Sequence, residues 1–282
     1  MAIGDLPSLT LDLSRDRVKH RVGAKIPAIQ PTITRSCILR DPDGTPVGLF
    51  LRELPEELSQ VLAVANRELR SSRVPKTKMN RTTTVRDANG RMTSPTVLSQ
   101  WSTILGSCAP KPHLGLSYAR RSTVHGQPSA NLFVRAMVKA GRLSMRLVEA
   151  HIPRVYRRHA EVVRDGCPAK WLFADHFTST ISNCNSSAPI HRDNGNIRGA
   201  INVILVKRSN SRGGDLHIPE YGATFDQSDS SMLVYPAWRN YHAVTPIEET
   251  HRGGYRNSFI WYALKAFEWR RHRCRRPEER PS

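Results

Sequence analysis

The chain has 282 residues, enough for one large domain or two modest ones, and its 39% hydrophobic and 24% charged residues are ordinary for a globular protein. This composition excludes a fully disordered or fibrous chain. The 43 Lys and Arg residues exceed the 24 Asp and Glu residues by 19, and such an excess attracts polyanions, so nucleic acid is the leading partner.

The sequence gives no sign of a membrane or secretory destination. No stretch approaches the roughly 20 apolar residues that a membrane-spanning helix needs. The N-terminus, MAIGDLPSLTLDLSRDR, lacks the basic start and continuous apolar core of a secretory signal. Five scattered cysteines without a C-x-x-C pair predict neither a disulfide nor a Cys-zinc framework. We expect an intracellular protein, nuclear in a eukaryote and in the host cytoplasm if the source is viral or bacterial.

Residues 1–167 are predicted to form a helical and basic region that packs on the core. Apolar residues recur every three or four positions over residues 54–70, which predicts an amphipathic helix. The same periodicity over residues 131–163, interrupted by Pro153, predicts two helices broken near Ile152. Residues 71–95 carry Lys and Arg among Thr, Asn and Gly, and this composition predicts a basic loop.

Residues 168–268 are predicted to form a β-rich core. Short runs of β-branched and aromatic residues, separated by Gly, Asn, Ser and Pro, are typical of an antiparallel sheet. The candidate strands cover residues 177–182, 199–206, 215–218, 232–235, 241–247 and 256–264. Residues 269–282 form an Arg-rich tail. We expect phosphate contacts from residues 73–91 and from the turn 207–212, for which a solvated hairpin tip is the alternative.

The candidate metal ligands are His191 and Asp193, in IHRDNGN, and His242, in YHAVTPI. Residues at i and i+2 of an extended segment project to one side, so an imidazole and a carboxylate can reach one ion. With a second imidazole, this donor set suits Fe(II) and leaves positions for O₂ and a chelating cosubstrate. About half a His-x-Asp tripeptide is expected by chance at this composition, and His242 alone could be a structural histidine. The rival pair His159 and Glu161 is predicted to be solvated surface.

The last candidate strand places polar side chains on one face. Arg256, Ser258 and Tyr262 alternate along it together with Ile260. A buried guanidinium needs an anionic partner, which the carboxylate of a cosubstrate would supply. The alternative is an internal salt bridge to Glu220 or Asp215.

These motifs together resemble the Fe(II)/2-oxoglutarate dioxygenases, and specifically the TET/JBP group that oxidises the 5-methyl group of pyrimidines in DNA. The resemblance covers residues 173–267. FTSTISNCNSSAPIHRDNGN resembles the strand, turn and His-x-Asp of that group, and GGDLHIPEYG resembles its Gly-Gly-acid-Leu segment. YHAVTPI matches the strand that carries the distal histidine.

The resemblance implies a role for each matching residue. His191, Asp193 and His242 would bind Fe(II), while Arg256 and Ser258, in RNSFIWY, would hold the far carboxylate of 2-oxoglutarate. The remaining matches concern the substrate base: Tyr262 would lie beside it, Asn196 matches an asparagine that contacts methylated cytosine in vertebrate members, and Leu264 stands where those members have a cytosine-contacting histidine. Asn196 could instead cap the turn at residues 194–195, and Tyr262 could simply fill the core.

The predicted fold is α+β, with a double-stranded β-helix core of the jelly-roll or cupin-like kind buttressed by N-terminal helices. The resemblance implies an enzyme that uses Fe(II), 2-oxoglutarate and O₂ to oxidise 5-methylcytosine to 5-hydroxymethylcytosine, or further, in methylated double-stranded DNA. The base would have to flip out of the duplex. The alternatives are the same chemistry on thymine, on another alkylated base, on RNA or on a protein side chain, and a non-catalytic nucleic-acid-binding protein.

Overall fold

The computed structural model describes residues 6–10, 22–79, 85–86, 92–93 and 99–268. Its helices are α1 (Glu56–Arg70), α2 (Asn131–His151) and α3 (Pro153–Val163). Its strands are β1 (Ser8–Thr10), β2 (Cys37–Arg40), β3 (Pro46–Leu51), β4 (Thr77–Lys78), β5 (Val85–Arg86), β6 (Met92–Thr93), β7 (Trp101–Cys108), β8 (Arg120–Arg121), β9 (Ser179–Cys184), β10 (Ala188–His191), β11 (Asn202–Ser209), β12 (Ser211–Gly213), β13 (Leu216–Ile218), β14 (Ala223–Phe225), β15 (Ser231–Tyr235), β16 (His242–Val244), β17 (Ile247–Glu249) and β18 (Tyr255–Tyr262). The predicted Arg-rich tail and most of the predicted basic loop after residue 79 lie outside the described residues.

A large sheet draws strands from both halves of the chain. Its order is β1-β2-β3-β15-β11-β18-β9-β7-β4, and β8 pairs with β7. Its first pair, β1 with β2, is parallel, whereas β11 pairs antiparallel with both β15 and β18. The N-terminal region therefore contributes strands to the sheet as well as the helices that the sequence predicts.

A smaller sheet, of order β10-β16-β13-β14, faces the large one. Its pairs are antiparallel, and the register sets His191 opposite His242 and Leu216 opposite Val244. Two more two-stranded pairs, β12 with β17 and β5 with β6, complete the described strands.

The large sheet separates two apolar layers, because successive side chains of a strand point to opposite faces. On β11, Val203 and Leu205 pack against the helices, whereas Ile204 and Val206 pack against the smaller sheet. The same alternation holds on β15 and β18. This two-layer packing is what a double-stranded β-helix buttressed by helices requires, so the fold prediction is confirmed.

The helices form where the sequence predicts them, and for local reasons. Helix α1 follows Pro55, has glutamates in its first turn and arginines in its last, and buries one apolar stripe that includes Leu58 and Leu62. At Ile152 the backbone leaves the helical region, with φ −137° and ψ 63°, and Pro153 begins α3. Within the described ranges, every helix falls short of the length and apolarity that crossing a bilayer requires.

The prediction for His159 was wrong, because this histidine is fully buried rather than solvated. Its Nε2 lies 2.7 Å from the carbonyl oxygen of His176, and its Nδ1 accepts the Ile201 N–H at 3.1 Å. The ring also packs against Phe177. The imidazole therefore links α3 to the strand region, while Glu161 is exposed as predicted.

His159 makes the stability of the fold depend on pH. Burial lowers the pKa of His159 to about 4, so the folded protein keeps this imidazole neutral where the unfolded chain takes up a proton near pH 6.5. The contribution of His159 is constant above pH 6.5 and is lost as the pH falls towards 4. We expect wild type to lose about 2 kcal/mol more than His159→Phe between pH 7.5 and 5.0, measured by denaturant unfolding. Equal pH dependence of the two proteins would contradict this assignment.

Candidate metal centre

Two neighbouring strands of the smaller sheet carry the two histidines of the site. Strand β10 ends at His191, and its partner β16 begins at His242 directly opposite. Their ring centroids are 4.2 Å apart. Asp193 follows β10, and its N–H donates to the carbonyl of Ala237 at 3.1 Å, which holds the loop beside the strands. Strand pairing thus sets both imidazoles and the carboxylate at one place.

The three side chains converge through their ligating atoms. One donor atom from each of His191, Asp193 and His242 lies within 4.8 Å of the others. The Asp193 Oδ1 is 3.7 Å from the His191 Nε2 and 3.9 Å from the His242 Nε2. Each histidine places its Nδ1 near a backbone carbonyl, of Pro189 at 2.8 Å and of Asn240 at 3.1 Å. An Nδ1–H that donates to a carbonyl leaves the Nε2 lone pair for an ion.

Burial favours the neutral form of His242, which is the form that binds a metal. The side chain is 5% exposed, and desolvation lowers its pKa to about 4 although Asp193 acts in the opposite direction. The His191 side chain is 39% exposed, so this edge of the site is open to incoming groups. The donor set of two imidazoles and one carboxylate therefore fits Fe(II), as the sequence predicts.

Two amides hold the other oxygen of Asp193. The Asn202 Nδ2 donates to the Asp193 Oδ2 at 2.9 Å, and the Asn196 Nδ2 donates to the same oxygen at 3.3 Å. The Asn196 Nδ2 also donates to the Asn202 Oδ1 at 2.8 Å. Asn196 therefore supports the carboxylate instead of capping its own turn through its side chain.

A cavity of about 500 Å³ opens at these three side chains, a size typical of small-molecule sites. Its wall includes four of the residues that the sequence predicts for substrate and cosubstrate: Asn196, Ser258, Tyr262 and Leu264. Burial raises the pKa of the Tyr262 hydroxyl, so it stays protonated. Tyr262 and Ser258 lie on the face of β18 that looks towards the smaller sheet, as the predicted alternation requires.

The Arg256 side chain is buried behind the residues that line the cavity. Its Nη2 donates to the Gln227 Oε1 at 2.7 Å, while its Nε and the Gln227 Nε2 are buried without a partner. Burial and the neighbouring Arg208 lower the Arg256 pKa to about 10, and Asp215 opposes them. The alternative partner Glu220 instead accepts the N–H of Tyr241 at 3.1 Å. An unpartnered donor on the Arg256 cation and a second one on the neighbouring Gln227 fit the carboxylate of a keto acid.

The Arg256 side chain packs directly against Gly214, in space that a larger residue at this position would fill. Its φ of +74° is in the left-handed region, and a Cβ built on it would stand 2.2 Å from the Arg256 Cδ and 2.6 Å from the Nε. The second residue of the Gly-Gly segment is therefore a glycine because a larger side chain would not fit there without moving Arg256.

Sequence reasoning missed Asn202 and Gln227, which contact Asp193 and Arg256. The sequence pattern could have identified Asn202. On β11 every second side chain faces the smaller sheet, and Asn202 lies on the same face as Ile204 and Val206. Gln227 lies in a loop between β14 and β15, where no period marks an inward side chain.

The basic residues of the turn 207–212 have partners within the molecule. Lys207 pairs with Asp229 at 2.6 Å, and Arg212 pairs with Glu248 at 2.5 Å. Arg208 donates to the backbone carbonyls of Gly213 and Ser211. These contacts weaken the expectation that this turn binds phosphate, because each of its three basic side chains already has a partner within the molecule.

The comparisons with known proteins give a likeness of fold. No family model matches the chain, and a search of curated proteins found no match. Among solved structures, NgTET1 in complex with 5mC DNA is 13% identical with a TM-score of 0.56, covering 91% of this chain and 89% of that one. Two further structures are similar. A 2OG-Fe(II) oxygenase family protein from Burkholderia pseudomallei is 11% identical with a TM-score of 0.43, covering 77% of this chain and 88% of that one. OsALKBH1 is 12% identical with a TM-score of 0.41, covering 77% of this chain and 96% of that one.

The NgTET1 likeness extends over nearly the whole of both chains, so it includes the N-terminal region as well as the strands that carry the site. At 13% identity it shows the fold alone, which is the double-stranded β-helix already described. What the site binds follows from its own side chains.

The metal centre can be tested by direct binding. We expect the protein to bind one Fe(II) or Co(II) ion per chain, and Asp193→Ala or His242→Ala to weaken binding more than the about 10- to 100-fold that loss of a supporting residue costs. Anaerobic isothermal titration calorimetry measures this affinity, with circular dichroism as the check on folding. His251→Ala, which removes an exposed histidine, is the control and should bind as wild type does. Unchanged stoichiometry and affinity in both ligand variants would rule out this site.

Proposed function

We propose that this protein is an Fe(II)/2-oxoglutarate-dependent dioxygenase that oxidises the 5-methyl group of 5-methylcytosine in DNA. The observation that carries the proposal is the convergence of His191, Asp193 and His242 at the head of a cavity between two sheets. Two imidazoles and one carboxylate leave coordination positions open on Fe(II), which the binding of a keto acid and O₂ requires. Bound there, Fe(II) with 2-oxoglutarate and O₂ supplies the oxidation of a C–H bond, with succinate and carbon dioxide as the coproducts.

The protein's own residues would hold the metal and the cosubstrate. The backbone carbonyls of Pro189 and Asn240 fix both histidine tautomers, and Asn202 fixes the carboxylate. Arg256 and Gln227 would receive the far carboxylate of 2-oxoglutarate through their unpartnered donors. The Ser258 hydroxyl, on the cavity wall two residues from Arg256, would add one hydrogen bond.

DNA is the proposed partner because the chain carries a net charge of +19 and because the cavity can receive a single base. Arg192 lines the cavity and stacks over Tyr241, at 4.7 Å from the ring centroid. Met79 also lines it and follows the basic residues Lys76 and Lys78. A base stacked in a duplex cannot enter such a cavity, so the nucleotide would flip out. Tyr262, Leu264 and Asn196 would then surround it.

The test of the function is the mass of the product. Methylated double-stranded DNA is incubated with the protein, Fe(II) and 2-oxoglutarate, then digested and read by nucleoside mass spectrometry. We expect 5-hydroxymethylcytosine or a higher oxidation product from wild type and none from Asp193→Ala, with DNA affinity mostly kept. Oxidised thymine, or product from methylated RNA alone, would replace the proposed substrate by one of the alternatives. DNA binding with no turnover on any substrate would favour a non-catalytic binding protein.

Two glycine variants test the proposed role of Arg256 in binding 2-oxoglutarate. Gly214→Ala should raise the KM for 2-oxoglutarate about 10-fold or more, because the new methyl group displaces Arg256 from the position in which it would meet the carboxylate. Gly253→Ala is the control, because Gly253 has a similar φ of +83° but nothing within 4 Å of a built Cβ. Both variants carry the same kind of backbone strain, so equal KM values for the two would contradict the role given to Arg256.

A further inference from the structure

A second cavity, of about 810 Å³, lies between α1 and α2, and its residues come from these two helices alone. We refer to it as the α1–α2 groove. Its apolar strip includes Val61 and Val64 of α1 and Val138 of α2, which are half-buried and continue the core beneath the helices. Leu132, at the start of α2, is 47% exposed. Exposed apolar surface beside a polar rim is typical of an interaction site.

One side of the α1–α2 groove is a row of cations on α2. Four basic residues recur there at intervals of four, three and four positions, which places them on one face of the helix: Arg135, Lys139, Arg142 and Arg146. Lys139 pairs with Glu57 at 2.9 Å, and Arg142 pairs with Asp175 at 2.6 Å.

The other two cations of this row are uncompensated. Arg135 and Arg146 are exposed, and the ion pairs among the described residues include neither of them. The groove therefore combines an apolar strip with two free positive charges along one edge.

This combination discriminates between classes of partner. A nucleic-acid backbone would pair with the arginines, but it would leave Leu132 and the valines in contact with water. An amphipathic helix with acidic flanks matches both features, because its apolar face covers the strip and its carboxylates meet the free cations. From Leu132 to Arg146, α2 rises about 21 Å, which is the length of about four turns of a second helix.

The segments of the chain outside the described residues have the wrong charge to fill the groove. Residues 269–282 carry six arginines against two glutamates, and residues 11–21 and 80–98 are also net basic. A second copy of the chain would bring a net charge of +19. Charge complementarity therefore favours a different, acidic protein as the occupant.

We propose that the α1–α2 groove binds an acidic amphipathic helix of a partner protein. The partner's apolar residues pack on Leu132, Val61 and Val64, and its glutamates or aspartates pair with Arg135 and Arg146. The two helices pack on the face of the large sheet that is turned away from the smaller sheet. A partner bound there leaves the cavity beside the metal centre open to its substrate.

Two designed peptides of identical composition test the proposal. The first is a fluorescein-labelled helical peptide of about 18 residues with leucines on one face and glutamates on both flanks. The second distributes the same leucines and glutamates around the helix. Fluorescence anisotropy with the full-length protein measures both affinities. We expect a micromolar Kd for the first peptide, weaker at high salt, and a Kd at least about 10-fold higher for the second, which cannot cover the apolar strip.

Two variants test whether the peptide binds in the groove. Leu132→Ser removes the exposed apolar anchor and should raise the Kd of the first peptide about 5-fold. The double variant Arg135→Glu with Arg146→Glu reverses the free charges and should raise this Kd about 10-fold or more at low salt. Circular dichroism checks that both variants are folded.

The matched controls change the same residue types elsewhere on the surface. Leu114→Ser removes a leucine that is 61% exposed and lies outside the groove. The double variant Arg154→Glu with Arg157→Glu reverses two exposed charges on α3. The net charge changes equally in both double variants, so a loss of binding confined to the groove variants supports the proposal.

Three results would overturn the proposal: no binding of the first peptide, equal affinity for the two peptides, or unchanged binding in Leu132→Ser. Equal affinity would show only a general attraction to a basic protein. If Leu132→Ser binds the peptide as wild type does and the groove charge variant loses affinity for duplex DNA, the arginines would be assigned to nucleic acid instead. These measurements need neither iron nor turnover, so their outcome is independent of the proposed dioxygenase activity.

Discussion

The pairing of β10 with β16 is the constraint on which the site depends. Residues directly opposite in an antiparallel pair hold their Cβ atoms about 5 Å apart, which is the separation that two imidazoles need to reach one ion. His191 and His242 occupy such positions, and Asp193 completes the group because its N–H is held by the carbonyl of Ala237. A slip of one residue in this register would turn one imidazole to the opposite face and remove the donor set.

Alternate residues of the large sheet's strands pack against the helices on one face and line the cavity on the other. On β18, Phe259 and Trp261 pack against the helices, while Ser258 and Tyr262 face the cavity. The apolar layer under the helices stabilises the sheet on its other face. Polar residues can therefore collect on the cavity face, and some buried donors, such as the Arg256 Nε, are left without a partner. An unpartnered buried donor costs free energy, and a hydrogen bond from it to an anion would remove that cost.

Local pattern was sufficient to predict the helices and the strands β9, β11, β13, β15, β16 and β18, whereas the short strands β10, β12 and β14 were not predicted. The bounds of α1 and the break at Ile152 follow from apolar period and proline, which act within one or two turns of helix. The N-terminal strands of the large sheet were not predicted, because the sequences of β2, β3 and β7 (CILR, PVGLFL and WSTILGSC) show no clear alternation of apolar and polar residues. His159 was misjudged because a histidine in a helix carries no local sign of what packs over it.

The sequence by itself determined the secondary-structure periods, the net charge and the order in which the candidate ligands occur along the chain. These features depend on neighbouring residues or on composition alone. Only the tertiary structure decided that His242 lies beside His191 and Asp193, that Asn202 and Asn196 hold the carboxylate, and that Gln227 holds Arg256. Each of those contacts joins residues from separate strands or loops, and their meeting is set by sheet register and by the space left between two packed layers, which no short stretch of sequence encodes.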